Sequence, residues 1–209
     1  MKIRELKTVR NVLSDVIGWT WPFLAVKGLS RRSAIFASTQ WAGEKSRESD
    51  FVKRFSLTSA IYLELLDRMG TQEAFDTMRR IVVPIGCNEQ WTHMRSLGNR
   101  AETPMGRLMA FHNLMDKKGA PQFNTREYVE RSENVCHFAI IRCVFHDFFT
   151  QAGMPELTKL CCEVDREFFS AAFPDLNFHR GDSWDNTIAY GREFCTFIFE
   201  QPSHTVAEP

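Results

Sequence analysis

The hydrophobic period of this chain is helical up to Gly119 and Pro121 and mixed after them, and that change limits what it can fold into. Before it, apolar residues recur three and four apart, the spacing that lines one face of an α-helix. Phe51, Phe55, Ile61, Leu65, Leu66 and Met69 form such a stripe, predicting one long amphipathic helix that Gly70 ends. Thr71 caps a second helix carrying Ala74, Phe75, Met78 and Ile81, with Pro84 and Gly86 as its stop. Thr103 and Pro104 open a third, through Leu108, Phe111, Leu114 and Met115 to Gly119.

Beyond that point the run Asn134 to Arg142, NVCHFAIIR, is rich in strand formers and free of Gly and Pro, which predicts a strand. Val144 to Gln151 then predicts a short helix closed by Gly153. Pro155 and Glu156 start another that carries Leu157, Leu160, Val164, Phe168 and Phe169 to Pro174. Leu176 to Arg180 and Thr187 to Glu200 read as the closing strands, the latter alternating across two faces. The expected fold class is α+β, a helical N-terminal half packed with helices on an antiparallel C-terminal sheet. The expected organisation is one domain over 1–209, mainly helical through 125 and mixed from 126 onward, since no repeat or linker divides the chain.

Charge narrows the function. Lys and Arg equal Asp and Glu, 26 against 26, so no overall field favours nucleic acid, and no nucleic-acid partner is expected. No apolar run approaches the ~20 residues that cross a bilayer, so no transmembrane segment is expected. Lys2, Arg4, Lys7 and Arg10 precede an apolar patch from Val16 to Val26, but Asp15, Gly18 and Pro22 interrupt it and Trp19 and Trp21 are foreign to a signal core. The chain is therefore read as cytoplasmic, its first segment as a terminal helix and loop packed on the domain, with a membrane-surface role as the alternative.

Cys87, Cys136, Cys143, Cys161, Cys162 and Cys195 are too few and too irregular for a disulfide framework, so they are read as reduced thiols. Cys143 falls where a strand hands over to a helix, where the helix dipole favours a thiolate; the plain alternative is a small buried core residue. Cys162 and Asp165, three apart, share a helix face, as do Cys161 and Asp165, four apart; the plain alternative for Asp165 is a solvated carboxylate beside Arg166 and Lys159. Alternation puts Cys195 on one face with Glu193, Phe197 and Phe199. His137, His146 and His179 lie among these thiols, but no paired ligand spacing occurs, so neither a metal nor any other cofactor is expected. Phosphate loops and a GxSxG elbow are absent from the sequence.

The stretch RCVFHDFFTQAGMPELTKLCCEVDREFF, residues 142–169, followed by TIAYGREFCTFIF, residues 187–199, resembles the signature of the L-2-amino-thiazoline-4-carboxylic acid hydrolase family. The matching positions are Arg142 and Cys143, Gly153 with Glu156 and Leu157, Cys162 and Asp165, Arg180, Thr187, Gly191, Cys195 and Phe197. Thr196 stands where that pattern has Asp, and the link GDSWDN between Arg180 and Thr187 is longer. The resemblance implies an α+β fold and hydrolysis of a cyclic amidine: the carbon between ring sulfur and ring nitrogen is attacked and the ring opens to a carbamoyl-cysteine.

On that resemblance Cys143 is the candidate nucleophile or thiol acid, Asp165 the general base or amidinium partner, and Arg180 the carboxylate clamp. Cys162 and Cys195 line the pocket, and Arg142, His146 and Thr187 are assigned to substrate binding. Cys143, Cys162, Asp165 and Cys195 are expected to converge on one concavity. The expected partner is a small-molecule substrate, with a homo-oligomer possible. Isomerisation, cyclisation or hydration in a biosynthetic pathway, and a non-catalytic small-molecule binding domain, are the alternatives.

Overall fold

A computed structural model describes residues 3–98 and 103–202. Among them the fold is α+β: eight α-helices and a four-stranded antiparallel sheet, divided between two compact units.

The first unit comprises residues 1–88 and 144–164. It contains α1 (Ile3–Ile17), α2 (Trp21–Ala37), α3 (Arg47–Val52), α4 (Phe55–Met69), most of α5 (Thr71–Leu97), α7 (Val144–Gln151) and the start of α8 (Thr158–Ala172). The opening segment, expected to be a helix and a loop, is two helices joined by a single 3-10 turn, Gly18–Thr20. The long stripe from Phe51 also divides, into α3 and α4. The break falls at Lys53 and Arg54, between Val52 at the end of α3 and Phe55 at the start of α4. Ser46 caps α3, its hydroxyl accepting the Ser49 N–H at 3.0 Å. Phe51 and Phe55 then both meet Phe145 of α7, at 5.8 and 5.1 Å between ring centres. Gly70 ends α4 as expected, at φ +81°.

Pro84 and Gly86 do not stop α5, which continues to Leu97. Pro84 sits on the exposed side, and a Cβ on Gly86 would stand 2.6 Å from a methyl of Val164. The glycine is there for close approach to α8, and the tertiary contact outweighs the local breaking tendency.

The second unit comprises residues 89–143 and 165–209. It holds the end of α5, α6 (Pro104–Lys118), the strands β1 (Thr125–Arg131), β2 (Val135–Arg142), β3 (Asn177–His179) and β4 (Cys195–Glu200), and the rest of α8. The sheet order is β1-β2-β4-β3, all pairs antiparallel. Thr103 caps α6 as expected, accepting the Gly106 N–H at 3.0 Å, and Gly119 ends it. Thr103→Ala is expected to cost about 1 kcal/mol of stability, read as a lower midpoint in urea with an unchanged m-value.

Two features of the sheet depart from the sequence reading. β1 was not anticipated, because TREYVER is exposed at nearly every position and carries no buried alternation; it is an edge strand, with a register shift at Val129. The final strand is shorter than Thr187 to Glu200. Residues 187–194 turn through a 3-10 segment, Ile188–Tyr190, and Gly191 at φ +81°. There the Thr187 carbonyl accepts the N–H groups of Tyr190 and Arg192 at 3.0 and 3.2 Å. β3 ends at His179 and β2 at Arg142, so most of this stretch has no strand beside it, and a turn satisfies its backbone instead.

Candidate active site

The site is built on the buried face of the sheet in the second unit. Pairing sets Cys195, Phe197 and Phe199 of β4 opposite Ile140, Phe138 and Cys136 of β2, and strict alternation buries this set. Phe178 of β3 lies opposite Phe199, with ring centres 4.5 Å apart. Arg180, two residues beyond Phe178, therefore turns inward. Its side chain is 1% exposed, and its guanidinium lies 4.1 Å from the centre of Phe197.

α8 supplies the counter-charge. Phe169 sits over Phe199 and Phe178 at 5.0 and 5.2 Å, and Asp165 projects from the same helix row one turn earlier. Its Oδ2 accepts from Arg180 Nη2 at 3.1 Å. Desolvation raises the Asp165 carboxyl to about 6 even though Arg180 pulls it the other way. Its side chain nevertheless keeps 29% of its surface open. A group held among so much protein yet still reachable is placed as a catalytic carboxylate needs to be.

Cys195 belongs to the same electrostatic neighbourhood. Burial raises its thiol, while the Ile188 N–H, donating to Sγ at 3.2 Å, and the charge of Arg180 work in the other direction. The longer link GDSWDN holds the opposite end of Arg180. Asn186 Nδ2 donates to the Arg180 carbonyl at 2.8 Å and to Asp182 at 2.7 Å. The Asn186 carbonyl accepts the Thr196 N–H at 3.0 Å, and the Thr196 carbonyl accepts Arg180 Nη1 at 3.3 Å. Trp184 covers Phe178 and carries Arg166 over its ring at 4.7 Å. Neither Asn186 nor Trp184 stood out in the sequence, although the extra length of the link marked the place.

Cys143 is the single residue between β2 and α7 and is half-buried. It lies three residues beyond the Ile140–Cys195 rung, about 10 Å along the strand at the usual rise, and so at the end of the sheet that carries Cys195. Arg142 donates to the Phe123 carbonyl at 3.2 Å. Thr187 is fully buried, with its N–H on the Asp185 carbonyl at 2.7 Å. Cys162 and His146 belong to the first unit, both half-buried; His146 Nε2 lies 3.5 Å from Thr150 Oγ1. Among the described residues, no group of three His, Cys, Asp or Glu side chains has the arrangement of metal ligands.

The sequence reading also passed over His112. It sits on α6 within the core of the second unit, against Phe138, Phe199 and Phe169 at 5.3, 5.6 and 6.0 Å. Both ring nitrogens are buried without a hydrogen-bond partner. Burial, with Arg126 and Arg131 adding to it, pushes its pKa down to about 3.

Residues 50–199 match the family described as L-2-amino-thiazoline-4-carboxylic acid hydrolase. No curated protein matches the chain. Among solved structures, the Fe(II) unliganded H-NOX protein from K. algicida aligns over 100% of both chains, but at 12% identity and a TM-score of 0.38 it bears on neither fold nor function.

Proposed function

The chain belongs to the L-2-amino-thiazoline-4-carboxylic acid hydrolase family, and from that premise we propose that it is an enzyme that opens a cyclic amidine ring with water, using Asp165 as its base. The observation that carries this reading is a carboxyl raised to about 6, held by a buried arginine and still partly open. A base with a pKa just below working pH is mostly ionised and still accepts a proton readily.

In this reading Asp165 takes a proton from water as the oxygen adds to the amidinium carbon. The tetrahedral intermediate then breaks its carbon–sulfur bond. The sulfur leaves with a proton returned by Asp165 or donated by Cys143. The same group then takes the intermediate's hydroxyl proton as the former water oxygen becomes the carbonyl of the carbamoyl group, and Asp165 regains its carboxylate by releasing the one excess proton, brought in by the amidinium, to solvent. Cys143, at the N-terminal end of α7, is the thiol whose acidity that position favours, and it retains the alternative role of nucleophile. Cys195 is not assigned as nucleophile, because its burial keeps the thiol protonated. Arg180, closed off from solvent and engaged by Asp165 and Thr196, acts as a positioning residue for the base, which leaves the substrate carboxylate to other groups.

The test is turnover of 2-amino-thiazoline-4-carboxylate and related cyclic amidines, followed by release of free thiol. For the wild type, kcat/KM should rise with pH through about 6, because the base must lose its proton. Asp165→Asn should lower turnover by about 10²- to 10⁴-fold while leaving the circular dichroism spectrum unchanged. Saturable binding of these compounds with no turnover would instead assign the chain to the non-catalytic binding proteins.

A further inference from the structure

We infer that α1, α2 and the turn between them form a docking face for an anionic lipid surface. α2 buries Leu24, Gly28 and Ile35 on one side, where a Cβ on Gly28 would stand 3.5 Å from Ile61 of α4. On the opposite side Phe23, Val26 and Leu29, spaced three apart, are 61%, 66% and 56% exposed. Trp19, in the turn, is 80% exposed and meets Phe23 edge to face at 6.1 Å. The helix is thus apolar on two sides, and one of them has no protein over it among the described residues. An open patch of large side chains with two aromatic rings at its head is unusual on a protein surface that meets only water.

Charge selects the occupant. Residues 1–37 carry seven Lys and Arg against two Asp and Glu, although the chain as a whole is neutral. One of the two acids, Asp15, is already paired with Arg80. Arg31 is taken up by Glu64 and Asp67, while Arg4, Lys7, Arg10 and Lys27 are exposed. Aromatic and aliphatic side chains beside exposed Lys and Arg are the composition of a helix that lies in the headgroup region, with the rings inserted and the cations on phosphate and carboxylate. Among the described residues no helix is long and apolar enough to cross a membrane, so the attachment is peripheral. Each base near an anionic leaflet adds about 1 kcal/mol, or roughly fivefold in affinity.

The test is flotation of the full chain with vesicles of phosphatidylcholine containing 30% phosphatidylserine (about a third, enough for a negative surface potential), against pure phosphatidylcholine. The chain should float with the anionic vesicles only and be released by 0.5 M salt (about fourfold shorter-ranged electrostatics than at low salt). Trp19→Ser/Phe23→Ser and, separately, Lys7→Glu/Arg10→Glu should each weaken association about tenfold or more. Failure to float with the anionic vesicles overturns the inference, as does flotation that neither pair of substitutions nor salt reduces. A concentration-dependent dimer abolished by Trp19→Ser/Phe23→Ser, with no vesicle association, also overturns it and assigns the face to a second copy of the chain. If the Trp19/Phe23 variant fails to fold, the charge-reversed variant and the salt dependence still decide.

Discussion

Replacing His112 by leucine is expected to stabilise the protein by about 1–3 kcal/mol, against the usual direction for substitutions in a core. The imidazole is held among Phe138, Phe169 and Phe199 with both nitrogens unpartnered. A neutral imidazole carries one donor and one acceptor, and each loses its water on folding. Leucine is close to histidine in volume and has nothing to desolvate. Urea denaturation of both proteins at neutral pH measures the difference; a leucine variant less stable than wild type by 1 kcal/mol or more (about the worth of one hydrogen bond) would show that the nitrogens are engaged.

The same residue shapes the acid limb of the stability curve. The His112 pKa falls from 6.5 to about 3 on folding, so between those values the unfolded chain binds a proton that the folded chain does not. Stability is therefore lost as pH falls through that window, by up to about 1.4 kcal/mol per unit. Asp165 acts in the opposite sense. Its pKa rises from 3.8 to about 6, so its contribution is full in acid and is lost as pH rises through about 6. The two oppose each other from about pH 4 to 6, and below that range His112 acts alone. His112→Leu should flatten the fall toward pH 3.

The parts of this fold that the sequence made legible are those fixed by local chemistry. Thr103 and Pro104 start α6, Gly70 and Gly119 end their helices, and Gly153 with Pro155 separates α7 from α8. Each of these signals acts within a few residues of itself. Two of the misreadings share a cause, which is that the deciding contact lies far along the chain. Gly86 reads as a stop until Val164 is seen against it, and residues 187–194 read as strand until β2 and β3 prove too short to pair with most of them. For the site, the alternation of β4 that sets Cys195, Phe197 and Phe199 on one face was legible, as were the placement of Asp165 on a helix and the position of Cys143 at the strand–helix junction. The inward turn of Arg180, the hold of Asn186 on it and the seclusion of His112 depend on three-dimensional packing that spacing alone does not contain.

The largest loss of stability is expected from Arg180→Met, about 3–5 kcal/mol at pH 7.5 and above. Methionine fills much of the space over Phe197 and Phe178, so the deficit comes from Asp165, whose ionised carboxylate loses its ion-pair partner in a desolvated position. That carboxyl would then escape by keeping its proton. The sign follows: with the native pKa raised further above 3.8, the variant recovers stability as pH falls and loses it as pH rises. Arg180→Met/Asp165→Asn, which removes the buried charge altogether, should regain most of the deficit, and the double-mutant cycle should show a coupling of about 1–3 kcal/mol. Activity separates positioning from charge balance. Arg180→Met should shift the pH dependence of kcat/KM to higher pH, because its base now ionises later, whereas the double variant, with no base at that position, should be inactive at every pH. If Arg180→Met instead keeps the wild-type pH profile, the Asp165–Arg180 pair belongs to the core rather than to the reaction.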